Sequence, residues 1–340
     1  MLSKLTKLKL PPFLLHWFGS YLCNRRFKVS LRGSYSSWCN SPSGVPQGSV
    51  LGPTLFNIFI NDLPTCLQHS ICLLFADDLK LYRTVNSVAD YILLQSDLNA
   101  VSQWAIENRM AFNISKSAVL HMGCRNHKFT YFLNNQLILA KDSTKDLGVI
   151  IDNKLNFHQQ AASAAKKAIS TASYIFKSFS FLNSTLFAML YKVFVRPNLE
   201  YCIQAWRPYL KKSTDILEKT QRKITKWCPS LSHLSYERRL HILDLPLLTE
   251  RFDRGDLIET FKFLKDHYSI SPNHFFNLST NHRTRGHSLK LVLSKFRTDT
   301  RKYFFSNRVV LPWNNLPEFV LSSTSINQWK ARFGSIPLPS

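Results

Sequence analysis

Ile71-Cys72-Leu73-Leu74-Phe75-Ala76-Asp77-Asp78-Leu79-Lys80-Leu81-Tyr82-Arg83 reads as a β-hairpin with two carboxylates at its tip. The incoming half is an apolar run. The outgoing half alternates apolar with polar residues, the period of a strand with one buried face. Adjacent carboxylates repel, so ionising both is unfavourable unless a cation lies between them. Divalent ions held by aspartates can clamp the attacking and leaving oxygens of a phosphoryl transfer. Turns also favour Asp for its own backbone hydrogen bonds, so the hairpin taken alone fits plain turn chemistry equally.

Upstream lies Ser43-Gly44-Val45-Pro46-Gln47-Gly48-Ser49-Val50-Leu51-Gly52-Pro53. Its glycines suit a loop whose backbone approaches a ligand without side-chain obstruction. Pro53 fits the first turn of a helix, and Leu55, Phe56, Phe59 and Ile60 give that helix an apolar face. Before the loop, residues 27–31 alternate like a strand ending at Arg32-Gly33. After the hairpin, Leu94, Leu98, Val101 and Ala105 predict an amphipathic helix over residues 88–109. Strands are predicted at 118–122, 129–133, 136–139 and 147–151, giving α/β alternation around a small sheet.

From about residue 152 the pattern turns helical. Helices are predicted over 157–179, over 186–195 ending near Pro197, over 214–227 with Ser213 as cap, and over 236–266 interrupted at Leu245-Pro246. The basic stretch His282-Arg283-Thr284-Arg285-Gly286-His287 reads as loop, and Pro337-Leu338-Pro339-Ser340 as a fraying end. There is no internal repeat.

A formal charge of +23 on 340 residues, spread along the chain, implies a polyanionic partner. At 45% hydrophobic content the chain can fill one or two cores, and most of its 25 Phe are core material. No apolar run is long enough to span a membrane. Lys4, Lys7 and Lys9 precede an apolar segment, but Pro11, Pro12 and His16 spoil it as a targeting signal. The seven cysteines contain no Cys-x-x-Cys pair, which suits reduced thiols in an intracellular, nuclear or cytoplasmic protein. The histidines show no metal-ligand spacing.

Together these segments resemble the reverse transcriptase domain of LINE-type (non-LTR) retrotransposons. The segment 43–53, continued by Leu55-Phe56 and Ile60-Asn61-Asp62-Leu63-Pro64, is similar to the family's template and nucleotide motif. Phe75-Ala76-Asp77-Asp78 is similar to its catalytic hairpin, and Asn113-Ile114-Ser115-Lys116-Ser117 to the Asn-x-x-Lys segment that closes the palm. Lys145-Asp146-Leu147-Gly148-Val149, with Asp152, is similar to the primer-grip strand and its continuation. Pro197-Asn198-Leu199-Glu200-Tyr201 with Trp206, and Trp313-Asn314-Asn315-Leu316-Pro317, are also family-like.

The resemblance implies an α+β chain. A partial right-hand palm, a small antiparallel sheet with helices, would occupy residues 1–152, a helical thumb 153–270, and a basic, partly irregular extension 271–340. It implies two Mg²⁺ ions, with Asp77 shared by both and Asp78 serving one ion or the local field. Pro46, Gln47 and Gly48 would face template and incoming nucleotide. Phe75 would pack under the primer terminus or serve as strand core. Lys116 would approach the leaving pyrophosphate or be a solvated lysine. Leu147 and Gly148 would shape the primer grip. Implied partners are an RNA template, a DNA primer and deoxynucleoside triphosphates.

Lys219, Arg222, Lys223 and Lys226 fall on one helix face, which fits either a solvated surface or contact with a nucleic-acid duplex. The family carries a further catalytic aspartate ahead of the segment resembled by residues 14–26, yet residues 1–61 hold no Asp or Glu. The sequence therefore predicts a chain that starts after that aspartate and after the fingers, and that does not polymerise alone. Asp62, in turn-forming Asn61-Asp62-Leu63-Pro64, reads as a surface turn residue, not a substitute. The alternatives are a non-catalytic nucleic-acid-binding remnant, or a relic with no stable fold.

Overall fold

The computed structural model describes residues 1–123, 126–279 and 287–336. Residues 282–286 of the basic stretch and the terminal 337–340 lie outside the described residues, as does Cys124. The chain divides into two compact units, Met1–Lys141 and Asp142–Ser340.

The first unit opens with α1 (Leu2–Lys7) and α2 (Pro12–Leu22). Four two-residue strands come next: β1 (Arg26–Phe27), β2 (Ser30–Leu31), β3 (Ser34–Tyr35) and β4 (Cys39–Asn40). The predicted strand at 27–31 is thus broken. β1 pairs with β4 and β2 with β3, and all eight residues are exposed, so no core lies behind them to reward a longer ladder.

The unit continues with α3 (Gly52–Ile60), β5 (Ile71–Phe75), β6 (Asp78–Tyr82), α4 (Val88–Glu107), β7 (Tyr131–Leu133) and β8 (Gln136–Ile138). Ser87 caps α4: its Oγ accepts from the Asp90 N–H at 3.2 Å, while the Asp90 carboxylate accepts from the Asn86 N–H. Val101 and Ala105 are buried, as the periodicity predicts, and Leu94 and Leu98 pack against the same core. The inner faces of α3 and the β5–β6 hairpin join that core. Residues 118–122 do not form the predicted strand. Among the described residues Val119 makes a single bridge, to Ala140, so the rest of the segment has no neighbour to pair with.

The second unit opens with β9 (Ser143–Asp146) and β10 (Val149–Asp152), then α5 (His158–Lys177). Ala161, Ala164, Ala168 and Ala172 form a buried small-residue face on α5. α6 (Ser184–Leu190) continues through a π-turn, Tyr191–Val195, into α7 (Arg196–Glu200). The helix therefore runs past Pro197. The π-turn interrupts the regular ladder just before it, and a proline in the first turn of α7 needs no N–H partner.

α8 (Ile203–Trp206), α9 (Lys211–Thr225), α10 (Tyr236–Leu243) and α11 (Leu248–Leu264) complete one core, centred on Trp206, Tyr191 and Phe252. The break predicted at Leu245-Pro246 is present between α10 and α11. Ser213 is not a cap. α9 starts at Lys211, and Ser213 lies inside its first turn, buried, with Oγ 3.0 Å from His158 Nδ1. Beyond α11, short helices gather around Trp313 and Trp329 in a separate core.

Among the described residues every strand pairing is antiparallel and two-stranded, so the expected small sheet is a set of separate hairpins. No described helix is long and apolar enough to cross a membrane.

Candidate active site

Strands β5 and β6 pair from Ile71–Tyr82 to Phe75–Asp78, leaving Ala76 and Asp77 as a two-residue loop. A connection this tight requires backbone outside the ordinary region, and Ala76 has φ 50°. Burial alternates along both strands. Cys72, Leu74, Leu79 and Leu81 turn to the core, while Leu73, Phe75, Asp78 and Tyr82 line the open face. Phe75 is 65% exposed, which excludes the strand-core reading of this ring. Asp77 and Asp78 are both exposed, and among the described residues neither carboxylate has a protein hydrogen-bond or ion-pair partner.

The 43–53 loop is shaped by its own polar groups. Ser49 Oγ donates to the Pro46 carbonyl at 2.7 Å and accepts from the Gly52 N–H at 3.0 Å. A Cβ on Gly52 would lie 3.0 Å from both partners, so the close approach requires glycine there. Gly48 needs its freedom for a different reason, a φ of 77°. Arg25 fixes the start of the loop by donating to the Gly44 carbonyl at 2.7 Å. Gln47 and Gly48 are left exposed, with Pro46 half-buried beneath them.

Lys116 is exposed and sits in a turn, not at a strand start. Asn113 Oδ1 accepts from the Lys116 N–H at 3.2 Å and from the Ser115 hydroxyl at 2.6 Å, so the Asn closes the turn that presents the lysine. Asp62 is committed elsewhere, accepting from Lys4 Nζ at 2.7 Å and Trp104 Nε1 at 3.1 Å.

Leu147 and Gly148 belong to the second unit, as the loop between β9 and β10. Lys219, Arg222 and Lys223 lie along the exposed face of α9, and Lys226 follows at its C-terminal cap. Among the described residues, no group of three or more His, Cys, Asp or Glu gathers to hold a metal. The pair Asp77 and Asp78 nevertheless suits Mg²⁺, which takes one or two carboxylates and completes its shell with waters and substrate phosphates.

Sequence reasoning overlooked Arg25, Ser49 and Asp97. Asp97, inside α4, is 2% exposed and accepts from the Gln68 and His69 N–H groups at 3.0 Å each, anchoring the segment that leads into β5. An acidic residue among Leu94, Leu98 and Val101 was the one signal the sequence offered.

Residues 1–151 match the family model for reverse transcriptase (RNA-dependent DNA polymerase). These residues belong to the reverse transcriptase family. The chain is also 30% identical over 239 residues to the RNA-directed DNA polymerase from mobile element jockey of Drosophila funebris, covering 64% of this chain and 25% of that protein. A probable RNA-directed DNA polymerase from transposon X-element of Drosophila melanogaster is 30% identical over 227 residues, 62% of this chain and 25% of that one. The probable enzyme from transposon BS of the same fly is 30% identical over 178 residues, 46% of this chain and 18% of that one. These relatives are RNA-directed DNA polymerases of mobile elements, which supports the LINE, non-LTR type that the motifs resemble. The chain spans about a quarter of the length of the first of these relatives.

Proposed function

We propose that the first unit is part of the palm of an RNA-directed DNA polymerase, with α5 to α11 as its thumb. The observation that carries this reading is the hairpin tip, with two adjacent, exposed carboxylates free of protein partners beside an exposed Phe75. In the intact reaction a primer 3′-hydroxyl attacks the α-phosphate of a deoxynucleotide paired to an RNA template, and pyrophosphate leaves. Asp77 and Asp78 would hold Mg²⁺, whose chemistry is to neutralise charge on the phosphate and align the oxygens around it. Gln47 and Gly48 would contact template and nucleotide, and Phe75 would support the primer end. Lys116 would supply charge or a proton to the departing pyrophosphate. Leu147 and Gly148 would steer the primer through backbone contacts.

Two carboxylates are a partial set. With Asp62 bound to Lys4 and Trp104 and no third acidic side chain gathered among the described residues, primer extension by this chain should not exceed that of Asp77→Ala. Extension of a labelled DNA primer on poly(rA) with Mg²⁺ tests this. Activity above that control would show that the site is complete. Activity in both proteins would remove Asp77 from the chemistry.

A non-catalytic nucleic-acid-binding role is favoured by a separate observation, the exposed cations Lys219, Arg222, Lys223 and Lys226 that line one concavity.

A further inference from the structure

Arg207 and Tyr209 between α8 and α9, Asp253 and Asp256 on α11, and Tyr303 and Arg308 beyond it line a cavity of about 250 Å³. All six belong to the second unit. The cavity lies at the seam of that unit's two cores, with Phe252 in the first and Leu257 and Val309 in the second. Such seams are favoured places for binding pockets. Its volume falls below the roughly 300 Å³ at which sites for whole small ligands begin, so it suits one or two residues of a longer ligand.

The charges of the lining are settled among themselves. Asp256 accepts from Arg308 through both oxygens, at 2.8 and 2.9 Å, and from Arg207 at 3.0 Å, while Asp253 accepts from Arg207 at 2.7 Å. These two guanidiniums and two carboxylates leave the lining without net formal charge. The Asp253 side chain is 57% exposed, against 19% for Arg207 and 12% for Arg308, so an approaching phosphate would meet a carboxylate first. A polyanion is disfavoured at this place despite the positive charge of the chain.

The groups left open are mainly donors. Tyr209 and Tyr303 stack with ring centres 5.4 Å apart and planes within 4° of parallel. Among the described residues neither hydroxyl has a hydrogen-bond partner, and Arg207 donates through Nη1 alone, which leaves Nη2 without an acceptor. Pro208, Leu257, Val309 and Pro312 place apolar surface beside these donors. The complementary ligand carries apolar ridges and open carbonyls, with few N–H groups of its own. A proline-rich segment has that character. Each proline removes a backbone donor, and the polyproline II helix has no internal hydrogen bonds to occupy its carbonyls. Its preformed backbone also loses little entropy on docking against aromatic rings.

We propose that this cavity seats a proline-rich segment of a partner polypeptide, with proline rings beside Tyr209 and Tyr303 and carbonyls accepting from their hydroxyls and from Arg207. The proposal concerns the second unit alone and does not depend on the hairpin carboxylates.

Fluorescence anisotropy of labelled decaproline, titrated with the full chain, tests it. Binding should saturate and change by less than about twofold between low and moderate salt, because an uncharged peptide releases no counterions. A flexible Gly-Ser decapeptide should bind roughly tenfold more weakly or worse, since it must be ordered on docking. Tyr209→Phe/Tyr303→Phe keeps both rings and removes both hydroxyls. It should weaken decaproline binding roughly tenfold, the loss of two neutral hydrogen bonds. Neither hydroxyl bonds within the described protein, so the urea midpoint should not move. Tyr174→Phe, on an exposed ring of α5, should stay within about twofold of the parent.

No saturable binding of decaproline, equal affinity for the Gly-Ser peptide, or equal losses in the Tyr174 and double variants would overturn the proposal. Displacement of the peptide by dATP would assign the cavity to a nucleotide and overturn it as well. Asp77→Ala should bind decaproline normally. The polymerase reading fails instead on primer extension, so the two can fall separately.

Discussion

The hydroxyl of Tyr201 donates to the carbonyl oxygen of Leu147 at 3.0 Å, fixing the loop between β9 and β10 to the residue that ends α7. The same ring lies against Gly148, where an added Cβ would come within 3.3 Å of it. Trp206 Nε1 then holds the Tyr201 carbonyl at 2.7 Å, so the family-like phrase from Pro197 to Trp206 is a bracket for this hairpin. Tyr201→Phe should lose about 1 kcal/mol, the ordinary net worth of one hydrogen bond. Urea denaturation would measure the loss, and faster amide exchange at Val149 would locate it.

Leu147 itself carries strain. Its φ is 43° and that of Gly148 is 88°, the paired left-handed values that favour Asn-Gly in two-residue hairpin loops. Leu147→Asn should therefore stabilise the second unit by about 1 kcal/mol. A lower urea midpoint in this variant would refute the argument.

Ala76 poses the same problem at the hairpin tip of the first unit. Ala76→Gly removes the steric penalty at φ 50° at some cost in chain entropy, for a net gain of about 0.5 kcal/mol. Ala76→Val should lose about 1–2 kcal/mol, because a β-branched residue tolerates that conformation least. Thermal melts should rank the three as Gly above Ala above Val.

Asp97 links stability to pH. Burial disfavours its charged form, but donation from the Gln68 and His69 N–H groups prevails and holds its pKa below the usual aspartate value. Its contribution is therefore present in full above about pH 4, the unfolded value, and is lost as pH falls through the lowered folded value. Asp97→Asn should cost about 1–3 kcal/mol at pH 7 and little once the parent is itself protonated. A difference between the two proteins that does not shrink on acidification would contradict this.

Asp256 is 3% exposed and joins two arginines. Arg308 grips it with two bonds, 2.8 and 2.9 Å, and Arg207 adds a third at 3.0 Å while also reaching Asp253. Asp256→Ala leaves Arg308 without a carboxylate and Arg207 with Asp253 alone, and should cost about 3–5 kcal/mol by chemical denaturation. Asp253→Ala, at the exposed end, should cost under about 1 kcal/mol.

The hairpin, the 43–53 loop and α4 were legible because each obeys a local rule: period two, glycine spacing, or an apolar stripe. The 118–122 segment failed because alternation cannot reveal whether a neighbouring strand exists, and Val119 found one partner residue. Ser213 looked like a cap because it precedes an amphipathic run, but tertiary packing against His158 drew it inside the helix. Asp77 and Asp78 could be read directly, whereas Arg239 could not. Its burial among Thr225 and the Leu234 and Arg222 carbonyls needs α9 and α10 already packed together.

α11 sets Leu248 and Phe252 in one hydrophobic core and Leu257 and Phe261 in the next. Each residue of a helix advances it by about 100° and 1.5 Å. One residue inserted between Phe252 and Leu257 would swing the second pair off its own core while the first stayed seated. The rod thus keeps two packings in phase, and the number of residues between its anchors is under tighter constraint than their identity.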